Sequence, residues 1–458
     1  MMNILSLAGI IIVGMCLAFP LYHIIHSFTG RRRLPYYLEF KHALKERQVS
    51  ILVPCYNEQS IIGTAVKGID RLNYSNYEMI FINDGSKDGT FQLLEELLEL
   101  EPIYKDLIGS LEFEKVRGIY SSRKNQRILV IDKENGGKAD ALNAGIAYAS
   151  SEIIITLDAD SMLDEQALRI INRAFEDPNL VAAGGMVHVL QGRKFHGGML
   201  KPCLRVKAIV RLQILEYFRG FYIYKSSLSK AKALSIISGA FGVFKREALL
   251  SVGGYRKTIG EDIDITIKIQ NYIKSKNNLK VIFIPEAICY TEVPENWGDL
   301  FKQRVRWQKA FTDCIILYFK EFILTLFKSP ISFFLIVDAL FVGVACSFLT
   351  IAGLIFIIIL NDSSSIYLFL LLLSISINLT YNVVSLAVAS SYGQKFSYRE
   401  FGFLSMTLLA DLLFFRIISL YIIIHGTIQY FTNKESWNKV ERTGRAYHIE
   451  QQSDFFIP

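Results

Sequence analysis

Cysteine is scarce in this chain, six in 458 residues, and none of the six forms a CxxC pair or a cluster with metal-ligand spacing. A zinc-ribbon or disulfide framework is thereby excluded. Cys16, Cys55, Cys203, Cys289, Cys314 and Cys346 read as isolated buried thiols in a reducing compartment. Charge is scarce too: 20% of residues are charged against 51% hydrophobic, and the mean hydropathy is +0.30. Those values are too apolar for an ordinary soluble enzyme. The formal net charge of +7 is no nucleic-acid signature. Basic residues flank apolar runs, as in Arg31-Arg32-Arg33 and the tail from Lys434 to Arg445, where the positive-inside tendency accounts for them; no nucleic-acid partner is expected. The GxxxxGK[ST] phosphate loop is missing, and no internal repeat or low-complexity linker is visible.

What is present is apolar at both ends and charged in the middle. A chain of 458 residues exceeds one hydrophobic core, so two or three units are expected. Ile4 to Phe28 is long enough to span a bilayer, and its basic cluster follows it instead of preceding it. Residues 1–30 therefore read as a transmembrane anchor, not a cleaved signal, with residue 31 onward in the cytoplasm. From 48 to 308 short β-branched runs (Val49–Val53, Met79–Ile82, Ile128–Ile131, Ile153–Leu157) alternate with helical periods. That pattern predicts an α/β domain with a mixed, largely parallel sheet, whose ligands lie beyond the carboxyl ends of the strands. Leu204–Leu234 and residues 309–329 read as amphipathic helices at the membrane surface or as ordinary packing helices; the implied membrane favours the first reading, and the lipid bilayer is an expected partner. Residues 330–432 form a C-terminal membrane region of three apolar segments: Ile331–Leu360, Ile366–Ser390 and Phe401–Phe431. Residues 433–458 form a basic cytoplasmic tail. Asp411 and Arg416 are costly in lipid, so the last segment is expected to be kinked, re-entrant or partly interfacial.

The predicted strand ends carry polar motifs. Val53-Pro54-Cys55-Tyr56-Asn57-Glu58 closes the first, where Asn57 could simply cap a helix. Asn83-Asp84-Gly85-Ser86 closes the second and suits hydrogen bonding to a base or ribose, or a plain turn. In Asn135-Gly136-Gly137-Lys138, backbone amides and a cation at a helix start suit a phosphate. Asp158-Ala159-Asp160 follows the fourth strand. Two carboxylates two apart on an extended segment face one side and are ligands for a hard divalent cation that keeps positions open for substrate phosphates. Gly260-Glu261-Asp262-Ile263-Asp264 offers three carboxylates in five residues, one of which could act as a general base, or all of which could serve an acidic first helical turn. Gln303-Arg304-Val305-Arg306-Trp307 combines an arginine that can clamp a diphosphate with an indole that can stack on a sugar. A basic membrane-edge belt would look similar.

In this order the motifs resemble the family 2 glycosyltransferases, over residues 49 to 307. The likeness is closest to the processive membrane branch: cellulose, hyaluronan and poly-N-acetylglucosamine synthases. The QxxRW element is typical of polymerising members. The resemblance implies a GT-A fold and an inverting transfer from a UDP-sugar, foremost UDP-N-acetylglucosamine, onto a growing polysaccharide acceptor. Pro54, Tyr56, Asn57 and Glu58 would serve the uracil end with Asp84, and Lys138 the diphosphate. Asp158 and Asp160 would hold Mg²⁺ or Mn²⁺, with Asp158 also at the diphosphate. Asp262, next to Glu261, would be the catalytic base. Gln303, Arg306 and Trp307 would close over the diphosphate and hold the acceptor end. The sequence departs from the family at Asn83, where the first Asp of a DDG turn is frequent, and at Gly260, where Thr is common. The resemblance further implies a multi-pass protein of the bacterial cytoplasmic membrane, its catalytic domain in the cytoplasm, and a small accessory membrane subunit as a candidate partner. Transfer of a single sugar to a lipid carrier would use the same acidic residues.

Overall fold

The computed structural model describes residues 4–28, 45–196, 199–276, 278–349 and 365–433. Arg31-Arg32-Arg33, residues 350–360 of the predicted segment Ile331–Leu360 and the tail beyond 433 lie outside them. The described chain divides into two compact units: residues 45–201 with 234–294, and residues 4–28 with 202–233 and 295–433.

The first unit is built on a ten-stranded sheet. Its strands are β1 (Val49–Cys55), β2 (Tyr77–Asp84), β3 (Leu100–Pro102), β4 (Val116–Ser122), β5 (Ile128–Lys133), β6 (Ile153–Leu157), β7 (Ser161–Leu163), β8 (Leu180–Val189), β11 (Phe241–Lys245) and β12 (Lys280–Thr291). Two short strands, β9 (Arg193–His196) and β10 (Met199–Pro202), pair separately. The order is β3-β4-β5-β2-β1-β6-β11-β8-β12-β7. The four strands expected from the sequence form its parallel centre, β5-β2-β1-β6, and almost every residue in them is buried. A strand covered on both faces needs apolar side chains throughout, which explains the uninterrupted β-branched runs. Antiparallel β11 then turns the sheet mixed. The helix Lys138–Tyr148 packs behind β1 and β2, and from Ala139 every one of its residues but Asp140 is buried. The parallel register sets the carboxyl ends of β1, β2, β5 and β6 side by side, with Cys55 opposite Asn83 and Asp84 opposite Lys133.

The second unit is helical. Residues 202–233 and 295–308, which lie within the expected domain 48–308, cluster with this unit, as do the described residues from 309 to 433. Residues 208–230 form one helical run with a π-helical turn at Arg219–Lys225. The sequence favoured the membrane surface for this stretch and left a packing helix as the alternative. In the structure it packs against the helices Ile4–Phe28, Ser365–Ser391 and Tyr398–Ala410, and most of its residues are buried. Its charged side chains find partners inside the unit. Arg219 donates to Asp411 at 2.7 Å and Asn382 at 2.6 Å, Arg304 pairs with Glu216 at 2.7 Å, and His23 bridges Ser227 and Asp338 at 2.9 Å each. Helix 398–432 is continuous and widens into a π-helical turn at Asp411–Phe415, where the buried Asp411 meets Arg219 and Arg416. Such turns mark places where a helix accommodates an extra residue. Among the described residues two helical stretches, Pro330–Leu349 and Glu400–Thr432, are long and apolar enough to cross a membrane.

Candidate active site

Three loops at the parallel strand ends are stitched together by hydrogen bonds. Asn57 adopts φ +54°. Its amide donates to Ser86 Oγ at 3.0 Å, and its Oδ1 accepts from the Lys87 amide at 2.7 Å. The Glu58 amide donates to Thr90 Oγ1 at 2.8 Å. The 54–58 loop is thus fastened to the 83–90 turn, a stronger role for Asn57 than capping a helix. Pro54 and Tyr56 are half-buried in the same loop.

Asp84 is the knot of the next junction. Its carboxylate accepts from Lys133 Nζ at 2.8 Å, Asn135 Nδ2 at 3.1 Å, and the amides of Gly136 at 3.0 Å and Gly137 at 2.8 Å. Lys133 is fully buried and also pairs with Asp140. The expected contact of Asp84 with a base finds this carboxylate engaged with four donors of its own chain. Gly85 (φ +66°) lets the turn pass against Asn135, where a Cβ would come within 2.8 Å of the backbone nitrogen. Asn83, which stands where the family often has Asp, donates to Asp132 on the neighbouring strand at 2.6 Å. A second carboxylate there would face Asp132 as a like charge.

Asp158 and Asp160 follow β6, but not in extended form. The Ser161 amide bonds back to the Asp158 carbonyl at 2.9 Å, so the segment is a turn and the two carboxylates take different neighbours. Asp160 Oδ1 accepts from Ser161 Oγ at 3.1 Å and Thr291 Oγ1 at 3.3 Å. Asp158 Oδ1 lies 2.7 Å from Lys138 Nζ, which also lies 3.1 Å from Glu261 Oε1. Burial alone would depress the Lys138 ammonium, but Asp158 and then Glu261 outweigh it and hold it above the usual lysine value. Burial pushes the Glu261 carboxyl up, Lys138 opposes the rise, and Asp262 adds to it.

The three carboxylates of the Gly260–Asp264 motif, among which the family resemblance singles out Asp262, have distinct surroundings. Glu261 pairs with Lys138. Asp264 is fully buried and bonded to Arg256 at 2.8 Å, with Lys268 at 3.4 Å, which makes it a brace for the helix Glu261–Lys274. Asp262 accepts from two backbone amides, Gly239 N at 3.2 Å and Ile263 N at 2.9 Å. Each oxygen keeps acceptor capacity, and the carboxylate is half-buried. The carboxylate thus retains the capacity to accept a further hydrogen bond.

Gln303, Arg306 and Trp307 lie in the helical unit, on the helix Trp297–Leu324, which Asn296 caps by accepting from the Asp299 amide at 2.9 Å. Trp307 is 43% exposed. The sequence reading gave no role to Arg304, yet this buried residue organises the motif. Its guanidinium lies 4.0 Å from the centre of the Trp307 ring, bonds Gln303 Oε1 and pairs with Glu216. The signal was there, an arginine three residues before a tryptophan on one helical face.

Among the described residues no group of three or more His, Cys, Asp or Glu side chains gathers as a metal site. A divalent cation that binds with a nucleotide does not require one, since one or two carboxylates suffice and substrate phosphates complete its shell. Asp158 and Asp160 supply such hard oxygen donors, so the residues fit the ion.

A sheet of this order, with acidic residues after its central strand and a lysine at the facing helix start, defines a glycosyltransferase of the GT-A type. The solved structure of a mannosyltransferase from Pyrobaculum calidifontis, in complex with GDP-Man and Mn²⁺, shares the fold. It matches with a TM-score of 0.51 and 18% identity, over 93% of this chain and 100% of that one. A family profile described as Glycosyl transferase family 2 matches residues 50–253, and one described as Glycosyl transferase family group 2 matches 153–384, just over half of the chain. The chain belongs to the family 2 glycosyltransferases. It is 29% identical over 361 residues to a poly-β-1,6-N-acetyl-D-glucosamine synthase of Staphylococcus epidermidis, 76% of either chain. To the synthase of that name in Staphylococcus aureus strain COL it is 29% identical over 308 residues, 64% of either chain.

Proposed function

We propose that this enzyme is an inverting, processive β-glycosyltransferase that moves sugar units from a UDP-sugar, UDP-N-acetylglucosamine first, onto a growing exopolysaccharide and passes the product across the membrane. The observation that carries the reading is the Lys138–Asp158–Glu261 cluster with Asp262 beside it, in a chain similar to poly-β-1,6-N-acetyl-D-glucosamine synthases over three quarters of its length.

The loop Pro54–Glu58 receives the uridine, with Asp84 shaping the wall of that pocket through the Gly136–Gly137 turn. Lys138 meets the diphosphate. Asp158 and Asp160 would hold Mg²⁺ or Mn²⁺, which would supply neutralisation of the charge that develops on the departing UDP. Asp262 takes the proton of the acceptor hydroxyl as its oxygen attacks the anomeric carbon and the bond to UDP breaks. Attack from the face opposite the leaving group turns an α-linked donor into a β-linkage. Gln303, Arg306 and Trp307 serve the diphosphate and the acceptor end. The apolar helices, with Ile4–Phe28 as an anchor, hold the protein in a bacterial cytoplasmic membrane as a multi-pass chain with the catalytic unit inside the cell. A small accessory membrane subunit is a candidate partner.

The test is UDP release by the purified, detergent-solubilised protein over a panel of UDP-sugars with Mg²⁺ or Mn²⁺, followed by product sizing and chloroform extraction. Turnover of UDP-N-acetylglucosamine into a long, water-phase product is expected. A single-sugar, chloroform-extractable product would replace the processive reading with transfer to a lipid carrier. Silence with every UDP-sugar would overturn the donor assignment.

A further inference from the structure

The acidic corner of the site already contains a cation. Lys138 Nζ sits 2.7 Å from Asp158 and 3.1 Å from Glu261, and Asp262 adds a third negative charge nearby. Room for the ammonium is made by Gly239, where a Cβ would come within 2.8 Å of Nζ. A divalent ion held through Asp158 would compete for the oxygen that Lys138 occupies. Two cations crowded on one carboxylate oxygen repel each other by several kcal/mol at about 4 Å and an effective dielectric near 20.

We propose that Lys138 is an exchangeable resident cation, which neutralises Asp158 and Glu261 in the donor-free enzyme and moves from Asp158 to the diphosphate when the donor arrives with its divalent ion. This rests on the donor reading above. The exchange balances charge: a dianionic diphosphate and a divalent cation enter as a neutral pair, and the lysine exchanges one anionic partner for another. No bond is made or broken. Glu261 is then a positioning residue that keeps Nζ beside the site through the exchange. The consequence is coupled loading, in which the ion alone binds weakly and binds tightly only together with the nucleotide.

Mn²⁺ titration of the full-length protein in detergent, with free Mn²⁺ read by electron paramagnetic resonance, tests this without any turnover. The wild type should bind Mn²⁺ at least about tenfold more tightly with UDP than without it. Lys138→Met should raise the UDP-free affinity by about tenfold or more, the effect of removing one unit charge close to the ion. Gly239→Ala keeps the lysine but fills the space of its Nζ, so it should raise UDP-free affinity in the same direction. It also decides the matter if Lys138→Met does not fold. UDP-free affinities no higher than wild type in the folded variants would overturn the proposal. The UDP-free arm is independent of which nucleotide sugar the enzyme uses, so a failed donor panel and a failed exchange are told apart.

Discussion

Replacing Asp262 with asparagine separates catalysis from folding. Both carboxylate oxygens accept a backbone amide, from Gly239 at 3.2 Å and Ile263 at 2.9 Å. An asparagine has one acceptor oxygen, so its NH₂ must face one of those two donors, and one hydrogen bond is lost. That costs about 1 kcal/mol of stability. The catalytic loss is larger. A positioned general base contributes roughly 10²- to 10⁴-fold, which at about 1.4 kcal/mol per tenfold is about 3–5 kcal/mol of barrier. Asp262→Asn should therefore lower kcat by two to four orders of magnitude, shift Tm only slightly, and leave UDP affinity near that of the wild type. UDP release measures the first, thermal unfolding in detergent the second, and UDP titration the third. Turnover within about tenfold of wild type would refute the assignment of the base, and a matching fall in Tm would move Asp262 to the structural side with Asp264.

Asp411→Ala should destabilise the helical unit by about 3–5 kcal/mol, because it leaves Arg219 without its buried carboxylate; thermal unfolding in detergent checks this, and a loss under about 1 kcal/mol would contradict it. Gly185→Ala should cost about 1–3 kcal/mol, since its Cβ would come within 2.1 Å of the Phe241 ring and 2.9 Å of the Ala287 carbonyl oxygen, and Phe241→Leu should recover part of the loss in the same melts. At Glu78 burial would raise the carboxyl, but hydrogen bonds from Ser50 at 2.5 Å and the Ser150 amide at 2.6 Å, with Lys105 at 3.2 Å, hold it below the usual glutamate value. A depressed acid stabilises the fold fully above its unfolded value of about 4.3 and loses that contribution as pH falls through the native value. The acid side of a Tm–pH profile should thus be flatter in Glu78→Gln than in wild type, and superimposable profiles would contradict this reading.

Strands β1, β2, β5 and β6 were legible because strands buried on both faces must be apolar and β-branched throughout, and their loops carry the chemistry. Strand β8 was not. Its Ala182-Ala183-Gly184-Gly185 segment has weak strand preference, and Gly185 is small because Phe241 from the neighbouring strand fills its place. Residue pattern alone left Glu261, Asp262 and Asp264 equal and only the family resemblance singled out Asp262; in the structure their partners Lys138, Gly239 and Arg256 distinguish them. In the same way, a stretch with Arg211, Glu216 and Arg219 among apolar residues reads as amphipathic until its partners are known. Those partners, Thr407, Arg304, Asn382 and Asp411, are 88 to 196 residues away, beyond any local periodicity.

That separation has a consequence in time. Arg219 leaves the ribosome 163 residues before Asn382 and 192 before Asp411. At about 5–20 residues per second, synthesis alone keeps the guanidinium waiting roughly 10–40 s for its carboxylate. Until residue 411 is made, the Arg219 guanidinium lacks the carboxylate that it pairs with in the folded unit. A chain stalled before residue 382 would then carry Arg219 without Asn382 or Asp411, the two side chains it meets in the folded unit.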